Sequence, residues 1–502
     1  IEYTINTYLN IFNTQNYSIK FNEKLIPIVY YKDKILNLNN IDNRTKTLMV
    51  ISFHIGLIQY ALNYIKVLPS MLLLNLSGEY DLNKEELDFS ENNISFYDPV
   101  KKEEIEFTKR KNLNDEIIYE IYLEDITSFG YKVIQIKENE NDIKTINQEI
   151  TDNKTVENAY YKLKFKKGKI TSLYDKRREV EFIEEGKAGN ELQFFVDKPD
   201  RFEAWEQDAD FEEHRIEDEL KLKEFKINEY KTEKVVTLKW KFRKSTFKQN
   251  IILYNNLDRI DFKNKVVWKD REILVKTAWP VNIVSDQARY EIAYGNITRP
   301  TTNNTSFEKA QFEVPGHRWA DLSEPGLGFS ILNDCKYGYD IKDNLVRLTL
   351  LKSPNYPDET ADYGIHEFTY SIYTHNGIYY NSNLLDYAND LNRKVLKKEI
   401  KDVNNKDKET KQLVHSYLEK IKGNSKIEVI KKPEYQKSGY VLRLYEPYGG
   451  KDQVQIEFNK NIKEAKLVNL IENETDHNIN YNENILKLDM DPFEIKTVLI
   501  IF

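Results

Sequence analysis

Apolar and polar residues alternate along most of this chain with a period of two, the period of a strand with one face buried. Tyr161, Leu163 and Phe165 interleave with Lys162 and Lys164, and Lys167-Gly168 then turns the chain into residues 170–174, which predicts a hairpin. Further strands are predicted over residues 235–242, 249–254, 259–268, 273–279 and 290–294, with an apolar run at 329–332. Upstream, residues 71–76, 94–97 and 117–122 form short apolar or alternating runs separated by Asn-, Glu- and Lys-rich turns. Their spacing, roughly ten residues, is that of an all-β sandwich. Near the end, residues 440–445, 454–458 and 497–502 return to the strand pattern, with Gly449-Gly450 as a turn. The pattern predicts a mainly β protein: a large antiparallel β-sandwich of two packed sheets, flanked by smaller β domains.

Two stretches depart from that period. Residues 48–68 are nearly all apolar and, at about twenty residues, long enough to cross a bilayer. Ser52, Gln59, Asn63 and Lys66 nevertheless gather on one side of a helical wheel, so a helix packed on a protein surface and ended by Pro69 is predicted instead of a membrane span. Between 381 and 422, Leu385, Tyr387, Leu391, Val395 and Leu396 fall near helical spacing, followed by an almost wholly polar run at 401–411. The expected organisation is a short helical or irregular N-terminal region (1–69), a small β domain (70–137), a charged linker (138–157), the large sandwich (158–380), a charged helical or loop segment (381–422) and a C-terminal β module (423–502).

At 502 residues the chain exceeds one ordinary core. A hydrophobic fraction of 40% with 31% charged residues fits a globular protein. The net charge of -8 speaks against a nucleic-acid partner. A single cysteine, Cys335, excludes an intrachain disulfide and a thiolate zinc cluster. Sequons begin at Asn43, Asn75, Asn296 and Asn473, and the compartment stays open between a cytoplasmic and an extracellular, glycosylated form. A start at Ile1 without a charged-then-apolar leader is read as a processed or trimmed chain, or as the second half of something longer.

The densest chemistry lies at 311–340. His317, Arg318, Trp319, Asp321 and Glu324 crowd between Pro315 and Pro325 ahead of the run at 329–332. Prolines that fix a loop between strands make it a candidate binding loop, and a guanidinium beside an indole suits a polyhydroxylated ligand with one apolar face. The same pattern also fits a structural turn whose Trp packs. Arg201, Trp205 and Asp208 repeat the combination in loop 197–208; Arg299 sits in a predicted loop at 297–302, and another loop is predicted at 351–357. Leaving one edge of the sandwich, such loops would converge into a carbohydrate-contacting rim. No His-x-Asp or His-Glu-x-x-His spacing occurs, the seven histidines are scattered, and neither a Gly-rich phosphate loop nor a Gly-x-Ser-x-Gly elbow is found. Two carboxylates suffice for a glycosidase, but 82 acidic residues give no means of choosing them.

FEVPGHRWADLSEPGLGFSILNDCKYGYD, then LTLLKSPNYPD and ADYGIHEFTYSIYTH, resemble the C-terminal part of the alpha-mannosidases of glycoside hydrolase family thirty-eight, in particular its archaeal, bacterial and cytosolic or vacuolar branch. The resemblance extends upstream through GKITSLYDKRREVEF, AGNELQFFVDKPDRFEAWEQD, LDRIDFKNKVVWKD and TAWPVNIVSDQARYEIAYGNITRPT, and downstream through YVLRLYEPYGGKDQVQIEF to PFEIKT. It implies a galactose mutarotase-like sandwich. It also implies a zinc-bearing, barrel-like catalytic domain with an Asp nucleophile, and neither the zinc-binding nor the nucleophile segment has a counterpart here. No catalytic residue, metal ligand or cofactor is therefore expected in this chain, zinc being expected only in a catalytic domain. By the same resemblance, Arg201, Trp205, Asp208, Arg299, His317, Arg318, Trp319 and Asp321 would contact sugar hydroxyls or hold the interface to that domain. The partners implied are a mannoside, a catalytic-domain partner or covalent neighbour, or both; an oligomer is left open. The expected function is the non-catalytic C-terminal portion of an alpha-mannosidase, the alternative a stand-alone carbohydrate- or protein-binding β-sandwich that has lost catalysis.

Overall fold

The computed structural model describes residues 94–121, 123, 129–138, 148–149, 154–393, 414–436, 438–475 and 479–502, together with three strands upstream, Tyr17–Phe21, Pro27–Tyr31 and Lys34–Ile35. The chain divides into two compact units, Ile1–Asp88 and Phe89–Phe502. In the first, those three strands pair antiparallel in chain order, where a helical or irregular region was expected. YSIKF alternates and PIVYY is β-branched and aromatic, so local preference accounts for the difference. The helix expected at 48–68, the strand expected at 71–76, the polar run 401–411 and the sequons at Asn43 and Asn75 lie outside the described residues.

The second unit is built on a ten-stranded sheet packed against a five-stranded one. From edge to edge the larger sheet runs Gln148–Glu149, Lys221–Glu229, Glu233–Phe242, Ser245–Tyr254, Arg259–Trp268, Gly364–Asn376, Leu327–Asn333, Trp319–Glu324, Gln287–Ile292 and Gly295–Pro300. The smaller runs Glu191–Val196, Ile273–Pro280, Leu345–Lys352, Gly338–Lys342 and Val314–Pro315. All recorded pairings in both are antiparallel. The expected hairpin is present as Tyr161–Lys166 and Lys169–Asp175. Its two turn residues, Lys167 and Gly168, have φ of 51° and 78°, the left-handed conformation that matches the twist of the flanking strands and that glycine adopts without strain.

Alternation places Val236, Leu238, Trp240 and Phe242 of one strand, and Ile260, Phe262, Val266 and Trp268 of another, in the same apolar layer. Each large side chain fully withdrawn from water there contributes about 1.5–3 kcal/mol. Inside this layer three amides and a hydroxyl satisfy one another, while the Trp268 and Trp279 indole nitrogens find no partner among the described residues. Gln249 donates to Asn264 at 2.8 Å and to the Tyr370 hydroxyl at 2.9 Å, while Asn190 donates to Gln249 at 2.8 Å. Pairing of this kind removes most of the cost of burying amides.

Two further layers complete the unit. Of the expected helical segment, a helix spans Leu384–Asn392; it packs Leu384, Leu385 and Ala388 onto the back of the ten-stranded sheet, against Trp319, Leu332 and Tyr373. Beyond it two four-stranded sheets form a C-terminal sandwich with its own apolar core, from Leu418 through Val454 and Leu486 to Val498 and Ile500. Its first sheet begins with Leu418–Lys422, a strand where the sequence pattern predicted helix or loop.

Candidate functional site

The sequence-derived candidates divide among three places. The first is loop 197–208, which leaves the five-stranded sheet after Val196 and meets loop 351–357 there. Lys352 and Val196 end their strands at the same end of the sheet, on either side of Ile273–Pro280, with which both strands pair. The Lys352 ammonium donates to the Asp197 carboxylate and, at 2.9 Å, to the Glu206 carbonyl, while the Asn355 amide donates to the Glu203 carboxylate at 2.6 Å. Burial pushes the Asp197 carboxyl above the ordinary aspartate value, against the pull of the Lys352 ammonium. The two loops are thus braced into one surface.

On that surface Phe202 has φ of 52°, a conformation that costs a bulky residue strain energy. Its carbonyl accepts from the amides of Trp205 at 2.8 Å and Glu206 at 3.0 Å, closing a turn that presents both rings to solvent. Phe202 and Trp205 lie edge to face at 6.3 Å, and Trp205 is 69% exposed. Of the five tryptophans in the chain the other four, Trp240, Trp268, Trp279 and Trp319, are buried. Arg201 and Asp208 flank the pair and are exposed. Asp208 also lines a cleft of ≈ 160 Å³ with Val196, Asp197, Lys198, Phe211 and His214.

Arg299 occupies the second place. The sequence pattern predicted a loop at 297–302, yet residues Gly295–Pro300 form the edge strand of the large sheet, paired with Gln287–Ile292. The Arg299 guanidinium stacks 4.8 Å from the Tyr290 ring, its Nη1 has no hydrogen-bond partner among the described residues, and burial pulls its pKa below the ordinary arginine value.

His317, Arg318, Trp319 and Asp321 form the third group and serve mainly the interior. His317 is exposed, but its backbone is tied down: its amide donates to the Glu291 carbonyl at 2.9 Å and its carbonyl accepts from Asn333 and Tyr339. Arg318 Nε donates to both oxygens of Glu291 at 3.0 and 2.9 Å, and its Nη1 to Asn389 at 2.5 Å. Burial opposes the guanidinium charge, but the Glu291 bonds override it and hold the Arg318 pKa above its ordinary value. Trp319 is 1% exposed and stacks on Tyr379 at 5.5 Å. Asp321 is buried and accepts from Ser330 at 2.6 Å and from His375 Nε2 at 2.8 Å. In this structure Trp319 and Asp321 are packed inside, without a face open to ligand. Strand Trp319–Glu324 sends alternate residues to its two faces, and the helix Leu384–Asn392 covers the face that Trp319 takes.

Residues that the sequence pattern did not single out are the braces: Glu203, Lys352 and Asn355. Their only signal was membership of loops 197–208 and 351–357. The sequon at Asn296 is also resolved, since the Asn296 amide is buried and donates to the Tyr379 hydroxyl and the Pro447 carbonyl.

Residues 156–360 match the glycosyl hydrolases family 38 C-terminal domain, and residues 424–498 match the glycosyl hydrolases family 38 C-terminal beta sandwich domain. The chain belongs to glycosyl hydrolase family 38. Within the family it is 33% identical to alpha-mannosidase G of Dictyostelium discoideum over 66% of this chain and 31% of that protein. It is 30% identical to human alpha-mannosidase 2C1 over 70% of this chain and 34% of that one, and 31% identical to the alpha-mannosidase of Saccharomyces cerevisiae over 67% and 34%. The chain thus spans about a third of the length of the curated relatives it matches. In fold it is similar to an alpha-mannosidase from Enterococcus faecalis V583, with a TM-score of 0.59 and 13% identity over 85% of this chain and 53% of that one.

Family 38 enzymes carry zinc in an N-terminal catalytic domain. Zinc needs three or four converging ligands. Among the described residues no three His, Cys, Asp or Glu side chains come together in that way, so those residues do not fit the ion. Among the same residues, no helix is long and apolar enough to cross a membrane.

Proposed function

We propose that this chain is the C-terminal, non-catalytic portion of an alpha-mannosidase and that the surface formed by loops 197–208 and 351–357 contacts the mannoside. The succession of the two family C-terminal domains along one chain supports the first part. The second rests on Trp205, the exposed indole among five, held outward by a strained turn whose loop is pinned by Lys352 and Asn355. A pyranose has one apolar face for an aromatic ring and hydroxyls for charged groups at its edge. In this reading Trp205 stacks on the sugar, while Arg201 donates to its hydroxyls and Asp208 accepts from them. Their part is to bind and orient; proton transfer and nucleophilic attack belong to the catalytic domain. Arg318, Trp319 and Asp321 hold the scaffold.

Two measurements test this. The isolated chain is expected not to turn over an aryl alpha-mannoside, and turnover would overturn the non-catalytic role. Titration with methyl alpha-mannoside is expected to quench the exposed tryptophan emission of the wild-type chain and to leave Trp205→Phe unchanged. A wild-type chain whose emission does not respond to mannoside sinks the contact role.

A further inference from the structure

The hairpin formed by Phe107–Lys111 and Ile117–Ile121 lies on the ten-stranded sheet, and its seat there is ionic. The apolar core of the sandwich contains no residue of this hairpin. The hairpin's own aromatics, Phe107 and Tyr119, pack with Phe96 of the neighbouring strand instead, at 5.4 and 5.9 Å. What joins hairpin to sheet is a rim of polar contacts around a buried charge cluster. At the rim the Thr108 and Thr232 hydroxyls meet at 2.6 Å, Lys248 reaches the Leu113 carbonyl and Asp115 at 3.3 Å, and Lys231 pairs with Glu106 at 3.1 Å.

At the centre Arg110, its side chain 2% exposed, donates from Nε to Glu233 at 2.5 Å and from Nη2 to Glu120. Glu120 also accepts from Lys263 at 2.9 Å. Glu120 comes from the hairpin and Glu233, 1% exposed, from the sheet, and one oxygen of each meets a neighbouring nitrogen of the same Arg110 guanidinium, which brings the two carboxyl groups side by side. Glu233 Oε2 is buried and finds no donor among the described residues. A carboxylate oxygen so enclosed, beside a second carboxylate, obtains a partner if it carries a proton and donates it to Glu120. The other titratable groups around the pair cannot supply that proton: Arg110 and Lys263 are already committed, the Tyr254 hydroxyl donates to Asp261, itself paired with Arg259, and Tyr230 feels Glu233 without a hydrogen bond to it.

We propose that one proton shared between Glu120 and Glu233 latches the hairpin onto the sandwich, and that its loss frees the hairpin. Burial, and then the charge of Glu120, push the Glu233 carboxyl up to about 8, while Lys263 and Arg110 hold Glu120 below its ordinary value despite burial. In the seated state Glu233 keeps its proton to near pH 8; once the hairpin lifts, it titrates like an ordinary glutamate near 4.5. The Glu233 contribution to the seat is therefore full below pH 4.5 and is lost as pH rises towards 8, whereas the depressed Glu120 has the opposite sign and gives up its contribution as pH falls below 4.5.

Hydrogen exchange of the hairpin amides in the full chain, corrected for the intrinsic pH dependence of exchange, reads this directly. The opening constant is expected to rise by about tenfold per pH unit between pH 5 and 8 and then level off. In Glu233→Gln, which keeps a donor at that position without titrating, the slope should be absent; Glu120→Gln, which removes the like charge but not the burial, should bring the levelling-off to lower pH. A wild-type hairpin whose opening is independent of pH over that window overturns the latch. So does retention of the slope in folded Glu233→Gln, or a levelling-off in folded Glu120→Gln at the same pH as in the wild type.

Discussion

The Glu291 carboxylate and the Arg318 guanidinium form a multiply bonded ion pair, with Glu291 6% and Arg318 20% exposed in their side chains. The same guanidinium donates to Asn389 on the helix. Arg318, just ahead of strand Trp319–Glu324, therefore joins the sheet to the helix. Truncating it leaves Glu291 charged, buried and unpaired. Arg318→Ala is expected to destabilise the fold by roughly 3–5 kcal/mol, and replacing both partners by apolar residues of similar volume to cost less. Urea midpoints of the two variants check the order; equal losses would mean that the pair does not act as a unit.

Trp205 predicts the opposite response. Its removal leaves no cavity, so Trp205→Phe should change stability by less than about 0.5 kcal/mol while removing the acrylamide-accessible part of the tryptophan emission. The four remaining indoles are enclosed and should emit at shorter wavelength. Unchanged quenching in the variant would mean that the loop is folded inward in solution.

Strands were legible where short runs rich in apolar, β-branched and aromatic residues are bounded by polar turns: Arg259–Trp268 and Tyr440–Tyr445 fall at the predicted bounds. What covers each face of a strand is not written locally. Trp319 shares a run with His317, Arg318 and Asp321, company that fits both a binding loop and a turn whose Trp packs; the helix that decides for packing lies at Leu384–Asn392. Arg299 was misplaced for a similar reason, because Pro300 suggests a loop while an edge strand tolerates proline. The pairing of loop 197–208 with loop 351–357 depends on two strands meeting a common neighbour, a relation of sheet order that spacing along the chain does not carry.

Burial of Trp319 gives a prediction that separates packing from binding. Trp319→Ala would empty the space between Tyr379, Leu332 and Leu385 and is expected to cost about 3–5 kcal/mol. Mannoside quenching of Trp205 should survive under conditions where the variant remains folded. Loss of quenching in folded Trp319→Ala would instead give residues 317–321 a direct part in binding.

Asp261 contributes to the acid limit. Its carboxylate accepts from Arg259 at 2.7 Å, from Tyr254 at 2.9 Å and from Ser371 at 2.6 Å while 2% exposed. Burial raises its pKa, but the Arg259 charge and the hydrogen bonds win and hold it below the ordinary 3.8. A depressed carboxyl stabilises the folded state above its ordinary pKa and gives up that stabilisation as pH falls through the folded value, the reverse of the sign at Glu233. Asp261→Asn is therefore expected to lose stability at pH 7, where Arg259 is left without its counter-charge, and to show a shallower fall in melting temperature below pH 4 than the wild type. Parallel melting curves from pH 7 to 3 make the comparison, and an identical acid limb in both proteins would remove Asp261 from the account of acid unfolding.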